Sequence, residues 1–186
     1  MKKFSVIVLL LFISVFASGC VNKVAVQELN KKAQEYMEAG KTEDAISRLE
    51  SSIDIDNTIF ETYYNLAVAY MKVDKTDKAE EALKKVFELN PDFPEAYHTM
   101  AVIYEDKANS IINGENKDVL DNVGEKIRSE LSTEDKTQIC SYLDIAIDYY
   151  NKYLVKNHNA QDKDKVNEKI NALNSELRKY GTAEEN

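Results

Sequence analysis

The sequence predicts an all-α protein, and three observations lead to this fold class. Only 5 Gly and 2 Pro occur in 186 residues, so few residues interrupt helices. The helix-favouring residues Ala, Leu, Glu and Lys are abundant, and apolar residues recur at helical spacing without the alternation typical of strands. With 44% hydrophobic and 31% charged residues, the composition is that of a folded domain.

The N-terminal residues have the organisation of a secretory signal. Lys2 and Lys3 provide a positive start, and an apolar run follows from Phe4 to Phe16. This run is shorter than the ~20 residues that a membrane-spanning helix needs, but it has the length of a signal-peptide core. Residues 1–19 are therefore predicted to be a signal peptide.

A cysteine follows the apolar run where a lipoprotein signal is cut. The motif Ala17-Ser18-Gly19-Cys20 resembles the lipobox of bacterial lipoproteins, with Ala17 where Leu is usual. The resemblance implies cleavage before Cys20, which would carry diacylglycerol and an N-linked acyl chain such as palmitate. Residues 20–25 would then be a lipid-anchored tether. Val21 in place of Asp implies the periplasmic face of the outer membrane, if the source has two membranes.

The chain beyond the tether repeats itself at a spacing of 34 residues. A period of this length is typical of stacked helix hairpins. Three sets of residues recur at this interval in all three copies: Leu29, Tyr63 and Tyr97; Ala33, Ala67 and Ala101; and Tyr36, Tyr70 and Tyr104. We call these sets columns. Two more positions recur in the first two copies, Ala45 with Ala79 and Leu49 with Leu83.

The middle copy resembles a tetratricopeptide repeat (TPR), through Tyr63, Leu66-Ala67, Tyr70, Ala79, Leu83 and Pro91. This resemblance implies a TPR-type α-solenoid of about three helix-turn-helix repeats over residues 26–180. The alanines have no bulk, so paired helices can approach closely at those positions. Gly40 lies between two helices, where a left-handed turn suits glycine. The predicted repeats are 26–59, 60–93 and 94–158.

The third copy is interrupted, because its second-helix pattern resumes only at Ala146, Tyr150 and Tyr153. An insertion is predicted at about 109–132, with a short helix near residues 119–127. It is a lid, a partner contact or a degenerate repeat. A long helix capped by Ser132 or Thr133 should follow, from about Thr133 to Lys156.

A C-terminal helix at about 162–180 is predicted to close the stack. One stripe of it is apolar and its other face is polar, as the exposed end of a repeat array requires. Residues 181–186 are predicted to be a flexible tail. The apolar stripe consists of Val166, Ile170, Leu173, Leu177 and Tyr180.

The sequence offers no constellation for catalysis, so the protein is predicted not to be an enzyme and to need no cofactor apart from the lipid. His98 and His158 have no metal-ligand spacing to each other or to Cys140, and no metal is expected. Cys140 is predicted to be a small buried apolar residue. The formal net charge of −9 excludes a broad phosphate-binding surface, so nucleic acid is not expected as a partner.

A binding surface must then carry the function. In TPR proteins the first helices line a concave groove that holds a peptide, and helical geometry gives the positions facing it. Some adaptors of this family bind a C-terminal carboxylate with lysines and arginines of the groove. Asn65 lies at one position of such a clamp, but Glu61, Glu95 and His98 stand where the cations are expected, so this groove is predicted to repel a C-terminal carboxylate. We call the predicted groove residues the groove stripe: Gln27, Asn30, Gln34, Met37, Glu61, Tyr64, Asn65, Val68, Met71, Glu95, His98, Val102 and Glu105.

These features lead to a hypothesis of a membrane-tethered scaffold that binds a protein or peptide partner of the cell envelope through the TPR groove. An alternative is an accessory subunit that binds a small ligand for an envelope transporter. An apolar cavity through the domain would favour the transporter subunit, whereas an open concave groove would favour the scaffold.

Overall fold

The computed structural model describes residues 23–114, 131–158 and 160–181, and every regular element in these ranges is an α-helix. None of these helices is both long and apolar enough to span a bilayer. The first helix ends at residue 38. It is already helical at residue 23, where the described residues begin, so its start is not defined. The helices are α1 (23–38), α2 (Thr42–Ile55), α3 (Phe60–Met71), α4 (Thr76–Leu89), α5 (Pro94–Ile112), α6 (Thr133–Lys156) and α7 (Lys163–Gly181).

Several predictions made from the sequence fall outside the described residues. They are the signal peptide 1–19, Cys20, the short helix near 119–127 and the tail beyond Gly181. Residues 23–25 of the predicted tether are helical and belong to α1. Neither Gly nor Pro interrupts the chain there, and the helix anchors its start by burying Val26, which is 2% exposed.

The chain divides between Pro91 and Asp92 into two compact units. Unit 1 contains α1 to α4, with α2 packed on α3 and α3 on α4. Ala45, Ala67 and Ala79 are all fully buried in it. The structure therefore confirms that alanines occupy the close contacts between these helices.

Both helix hairpins of unit 1 turn through the same left-handed motif. Gly40 (φ +72°) follows α1, and Asp74 (φ +56°), 34 residues later, follows α3. In each case the amide of the next residue donates to the carbonyl of a tyrosine five residues earlier: Lys41 to Tyr36 at 2.8 Å and Lys75 to Tyr70 at 2.9 Å. This is the Schellman pattern, and it confirms the predicted turn at Gly40.

Replacing Asp74 with Gly is expected to stabilise unit 1 by about 0.5–1 kcal/mol, because Gly adopts positive φ without the penalty of a Cβ. The reverse change, Gly40→Asp, should destabilise it by a similar amount. A Cβ at Gly40 would meet no heavy atom within 4 Å, so its cost is conformational rather than steric. Urea unfolding of both variants measures the two effects, and equal signs would contradict this account.

Unit 2 contains α5 to α7, with α5 packed on α6 and α6 on α7. The predicted long helix is confirmed: α6 spans Thr133–Lys156, and Ser132 caps it through a reciprocal capping box with Asp135. Ala101 and Ala146, the third-copy equivalents of the contact alanines, are fully buried. The C-terminal helix is confirmed as α7, with Val166, Ile170, Leu173 and Tyr180 buried and Leu177 half-buried.

The insertion begins later than the predicted residue 109, because α5 remains helical to Ile112. Ala108, which lies 34 residues beyond the Asp74 turn, is fully buried within the helix, and Ile111 and Ile112 pack against the core of unit 2. Apolar burial therefore extends the helix by more than one turn. The helix ends at Ile112, and Gly114 follows two residues later with φ +66°.

Cys140 is half-buried rather than fully buried, and it packs against the core of unit 2. A Cβ on Gly181 would lie 4.0 Å from its Sγ, so the sulfur sits beside the end of α7. Burial raises the pKa of the Cys140 thiol, and the negative charge of Asp144 adds to this. The thiol is therefore kept protonated, as expected of a packing residue.

Candidate partner-binding face

In unit 1 the groove stripe runs along α1 and α3. Gln27, Gln34, Glu61 and Asn65 are exposed, and a second set of apolar side chains lies half-buried between them. This combination of exposed amides with partly covered apolar side chains is the composition expected of a protein-binding surface. The half-buried set is Met37, Tyr64, Val68 and Met71.

Asn30 departs from the rest of this stripe, because its amide serves packing. Its Nδ2 lies 2.9 Å from Ser52 Oγ on α2 and 3.0 Å from Thr62 Oγ1 on α3, both in fully buried residues. It also lies 3.0 Å from the Val26 carbonyl oxygen. Asn30 therefore ties three helices together beneath the face. The 34-residue pattern could not reveal this, because Tyr64 and His98 occupy the equivalent positions.

In unit 2 the structure uses much of the predicted stripe for internal contacts. Glu105 accepts hydrogen bonds from Tyr150 Oη at 3.0 Å and from Lys169 Nζ of α7 at 2.8 Å. Burial, followed by the charge of Glu105, raises the pKa of Tyr150, so the phenol stays protonated and keeps donating. The side chain of Glu105 is only 15% exposed, which leaves it little access to a partner.

His98 is similarly engaged in unit 2. Its ring meets the rings of Tyr150 and Tyr153 edge to face, at centroid distances of 5.5 Å and 5.1 Å. Val102 packs against the core, while Glu95 remains exposed. Of the candidate residues in the third copy, only Glu95 thus keeps an open position on the described part of unit 2. Sequence spacing missed this, because the contacting residues lie beyond the insertion.

In the third copy the tyrosines of the aromatic columns fill space between α5 and α6. Tyr104 stacks on Tyr149 with ring centroids 6.1 Å apart, and it also contacts Tyr142 at 5.9 Å. Tyr97 contacts Tyr149 at 6.3 Å. Such ring pairs contribute packing energy beyond their buried area, so these tyrosines serve the fold of unit 2.

Tyr70 forms a polar bridge in unit 1, and its phenol is one of the groups whose pKa is shifted by folding. Its Oη donates to Glu50 Oε1 at 2.8 Å, and the side chain is buried between α2, α3 and α4. Burial first, and then the bond to Glu50 and the charges of Glu50 and Glu81, raise the pKa of Tyr70 from 10.0 to about 12.

A raised pKa in the folded state means that the stability contributed by Tyr70 is complete below pH 10.0 and is lost as the pH rises towards about 12. Two pH units correspond to roughly 3 kcal/mol. We expect Tyr70→Phe to be about 1 kcal/mol less stable than the parent at neutral pH, through loss of the bond to Glu50. The difference should shrink above pH 10 and reverse before pH 12; parallel melting curves across this range would contradict the assignment.

The described residues contain no group of three or more His, Cys, Asp or Glu side chains placed to hold a metal ion. The ion pairs present are mostly within one helix, such as Lys32 with Glu35 at 2.9 Å and Lys85 with Glu88 at 2.6 Å. Such exposed pairs contribute little to stability.

The helix hairpins, their buried alanines and their left-handed turns define a helical-repeat protein. Residues 36–103 match the family model described as a tetratricopeptide repeat. This segment therefore carries tetratricopeptide repeats, and the tetratricopeptide resemblance drawn from the sequence is confirmed. No curated protein matches the chain.

Solved structures with the same fold support this conclusion. The first TPR domain of human RPAP3 is 16% identical, with 85% of this chain and 96% of that chain covered and a TM-score of 0.59. The Arabidopsis OM64 TPR domain is 12% identical, with coverage of 81% and 98% and a TM-score of 0.60. At these identities the similarity establishes the fold.

A third similar structure contains a ligand. The first TPR of Spaghetti (RPAP3) bound to the HSP90 peptide SRMEEVD is 19% identical, with coverage of 85% and 91% and a TM-score of 0.53. That domain therefore binds a peptide. In that one structure a fold of this class holds a peptide, which is the kind of interaction that the scaffold class expected from the sequence would make.

Proposed function

We propose that this protein is a membrane-tethered scaffold that binds an envelope protein or peptide through the groove stripe of unit 1. The observation that carries the proposal is the composition of that face. Exposed amides alternate with half-buried Met, Tyr and Val side chains on α1 and α3, the first helices of the first two repeats. Methionine adapts its shape to different partners, and tyrosine offers both apolar and polar contact. The peptide complex of a similar structure with the same fold supports peptide binding as the use of such a domain.

The tether is proposed on sequence grounds alone. The Lys2-Lys3 start, the apolar run to Phe16 and the Ala17-Ser18-Gly19-Cys20 motif together favour export and lipidation at Cys20. Because α1 already includes residue 23, at most two residues separate Cys20 from the described helix. At about 3.5 Å per residue, such a short segment would keep α1 within ~10 Å of the lipid. By the same proposal the protein lies on the periplasmic face of an outer membrane, if the source has one.

The test is affinity capture by the Cys20-anchored protein in its own envelope, followed by mass spectrometry. The double variant Tyr64→Ala/Met71→Ala should reduce recovery of the specific partner by about tenfold or more, since two contact side chains are truncated. The matched control is Leu89→Ala/Val155→Ala, which truncates side chains that are 39% and 66% exposed and lie outside the stripe. Capture that survives the stripe variant, or falls equally with the control, would refute binding through this face.

A further inference from the structure

The exposed large apolar side chains of unit 1 lie together at one end of its helices. Within residues 23–91, which the structure describes, they are Val24, Ile55 and Leu89, with 65%, 38% and 39% of their surface exposed. Isolated apolar side chains are common on protein surfaces, so exposure alone indicates no function. Their shared position is informative, because none of the three lies near the hairpin turns at Gly40 and Asp74.

The hairpin geometry places these three side chains at the same level. Val24 precedes the turn residue Gly40 by 16 positions, and Ile55 follows it by 15. Leu89 follows the equivalent turn residue, Asp74, by 15 positions. Paired helices that extend over equal lengths from a turn end together, since each residue adds about 1.5 Å. We call this end of unit 1 the loop edge, which consists of residues 23–26, 54–61 and 86–91.

The buried hydrogen bonds of Asn30 support this level independently. Its Nδ2 is 2.9 Å from Ser52 Oγ, so residue 30 of α1 and residue 52 of α2 lie side by side. Val24 is six residues before Asn30, and Ile55 is three residues after Ser52. At about 1.5 Å per residue, they lie beyond this bond by about 9 Å and about 4.5 Å, towards the same end. Val24 and Ile55 therefore belong to one surface.

The proposed lipid anchor joins the chain at the same edge. Residue 23 is the first helical residue described, and only Val21 and Asn22 separate it from Cys20. At about 3.5 Å per residue, this segment would hold the acylated sulfur within about 10 Å of the first turn of α1. The part of the protein nearest to the lipid is then the part of unit 1 that exposes its large apolar side chains.

The charges of the loop edge are mainly acidic. Lys85, which lies just behind the last turn of α4, pairs with Glu88 at 2.6 Å. An excess of carboxylates opposes contact with anionic lipid, whereas the ammonium groups of zwitterionic headgroups can pair with carboxylates. The loop edge therefore fits a bilayer surface of low net charge. Its charged residues are Lys23, Asp54, Asp56, Glu61 and Glu88.

We infer that the loop edge of unit 1 rests on a zwitterionic bilayer surface, with Val24, Ile55 and Leu89 at the boundary between headgroups and acyl chains. Apolar side chains of proteins that lie on a membrane enter this boundary by about 5–10 Å. The inference rests on the proposed function, because it requires the anchor at Cys20. It adds an orientation: the axes of α1 and α3 point away from the bilayer, and the groove stripe along them extends outward to meet a partner.

Tryptophan fluorescence of the full lipidated chain in vesicles tests the inference, because the chain contains no Trp. The reporters Ile55→Trp and Leu89→Trp occupy the loop edge. The matched controls, Lys41→Trp and Lys75→Trp, replace exposed residues at the opposite end, also 34 positions apart. In phosphatidylcholine with brominated acyl chains, the loop-edge reporters should lose about half of their emission or more, because they reach the acyl boundary. The controls should lose less than about a tenth, since a helix of this length holds them about 20 Å away.

A second measurement separates this surface from the affinity of tryptophan itself for membranes. Adding Val24→Ser and Ile55→Ser to the Leu89→Trp reporter should reduce its quenching about twofold, because two of the three apolar contacts are lost. Adding Lys41→Ser and Lys75→Ser should leave it unchanged. Replacing about a third of the lipid with phosphatidylglycerol should also reduce the quenching, since the acidic edge is repelled. Circular dichroism of each variant checks that the helical fold is kept.

Equal quenching at all four positions, stronger quenching at the controls, a gain of quenching with phosphatidylglycerol, or loop-edge emission that bromine leaves unchanged would each overturn the inference. In the last case, blue-shifted emission would indicate that a second copy covers the edge. The proposed function fails separately. A parent chain without acyl groups refutes the tether and the orientation together, whereas capture that does not depend on Tyr64 and Met71 refutes only the binding face.

Discussion

Replacing Cys20 with Ser is expected to abolish lipid attachment and release the protein from the membrane fraction. A hydroxyl cannot replace the thiolate as the nucleophile that accepts diacylglycerol, and cleavage of a lipoprotein signal depends on the modified cysteine. Two or more acyl chains anchor a protein stably, whereas a single chain does so only marginally. Growth with a clickable palmitate analogue, followed by fractionation, should therefore show labelled, membrane-bound parent and unlabelled Cys20→Ser.

Cys140 provides the matched control, because it is the only other cysteine in the chain. Its half-buried sulfur packs against the core of unit 2, and burial raises the pKa of its thiol. Cys140→Ser should therefore keep full labelling and membrane association. Label that disappears in Cys140→Ser but remains in Cys20→Ser would reverse the assignment, and label in both would exclude cysteine-linked acylation.

The sequence predicted the helices of unit 1 because repetition carries information that no single window contains. Ala33 and Ala67 lie 34 residues apart at the same structural position, where they are 1% and 0% exposed. The turn at Gly40 was predictable because glycine is the residue that most readily adopts positive φ. The equivalent turn at Asp74 was not predictable, because aspartate is common in many loops and only the structure reveals its positive φ.

The candidate site was less predictable in unit 2, where the repeat is interrupted. The residues that donate hydrogen bonds to Glu105 are Tyr150 and Lys169, which lie 45 and 64 positions further along the chain. No fixed period connects them to Glu105. The spacing could therefore predict that Glu105 faces the groove, but not that its carboxylate accepts hydrogen bonds within unit 2. Asn30 was missed for a different reason: its partners Ser52 and Thr62 are small polar residues, and a sequence pattern does not reveal that they are buried together.

These contacts change how the groove stripe should be understood. In unit 2, His98 and Glu105 hold α5 to α6 and α7 and thereby complete the capping end of the unit. In unit 1, Asn30 supports α1 and α3 from below and leaves the remaining amides of the stripe exposed. One helical position thus serves packing in some copies and remains available for binding in others.

Replacing Ala67 with Leu is expected to be the most damaging single change in unit 1. Ala67 is 0% exposed on α3, so three added carbons have no space unless α3 moves away from its neighbours. Overpacking of this kind costs about 1–3 kcal/mol, and the larger value applies where two helix backbones meet. For a domain of this size we expect the melting temperature to fall by roughly 5–10 °C.

The control for this prediction is Ala172→Leu, on the exposed face of α7. Ala and Leu have similar helix propensities, so the two variants differ in packing rather than in helix formation. Thermal unfolding followed by circular dichroism should show a large loss at Ala67 and almost none at Ala172. Equal shifts would mean that the alanines recurring at the 34-residue spacing serve helix propensity. The close contact of α3 with its neighbours would then no longer explain why alanine recurs there.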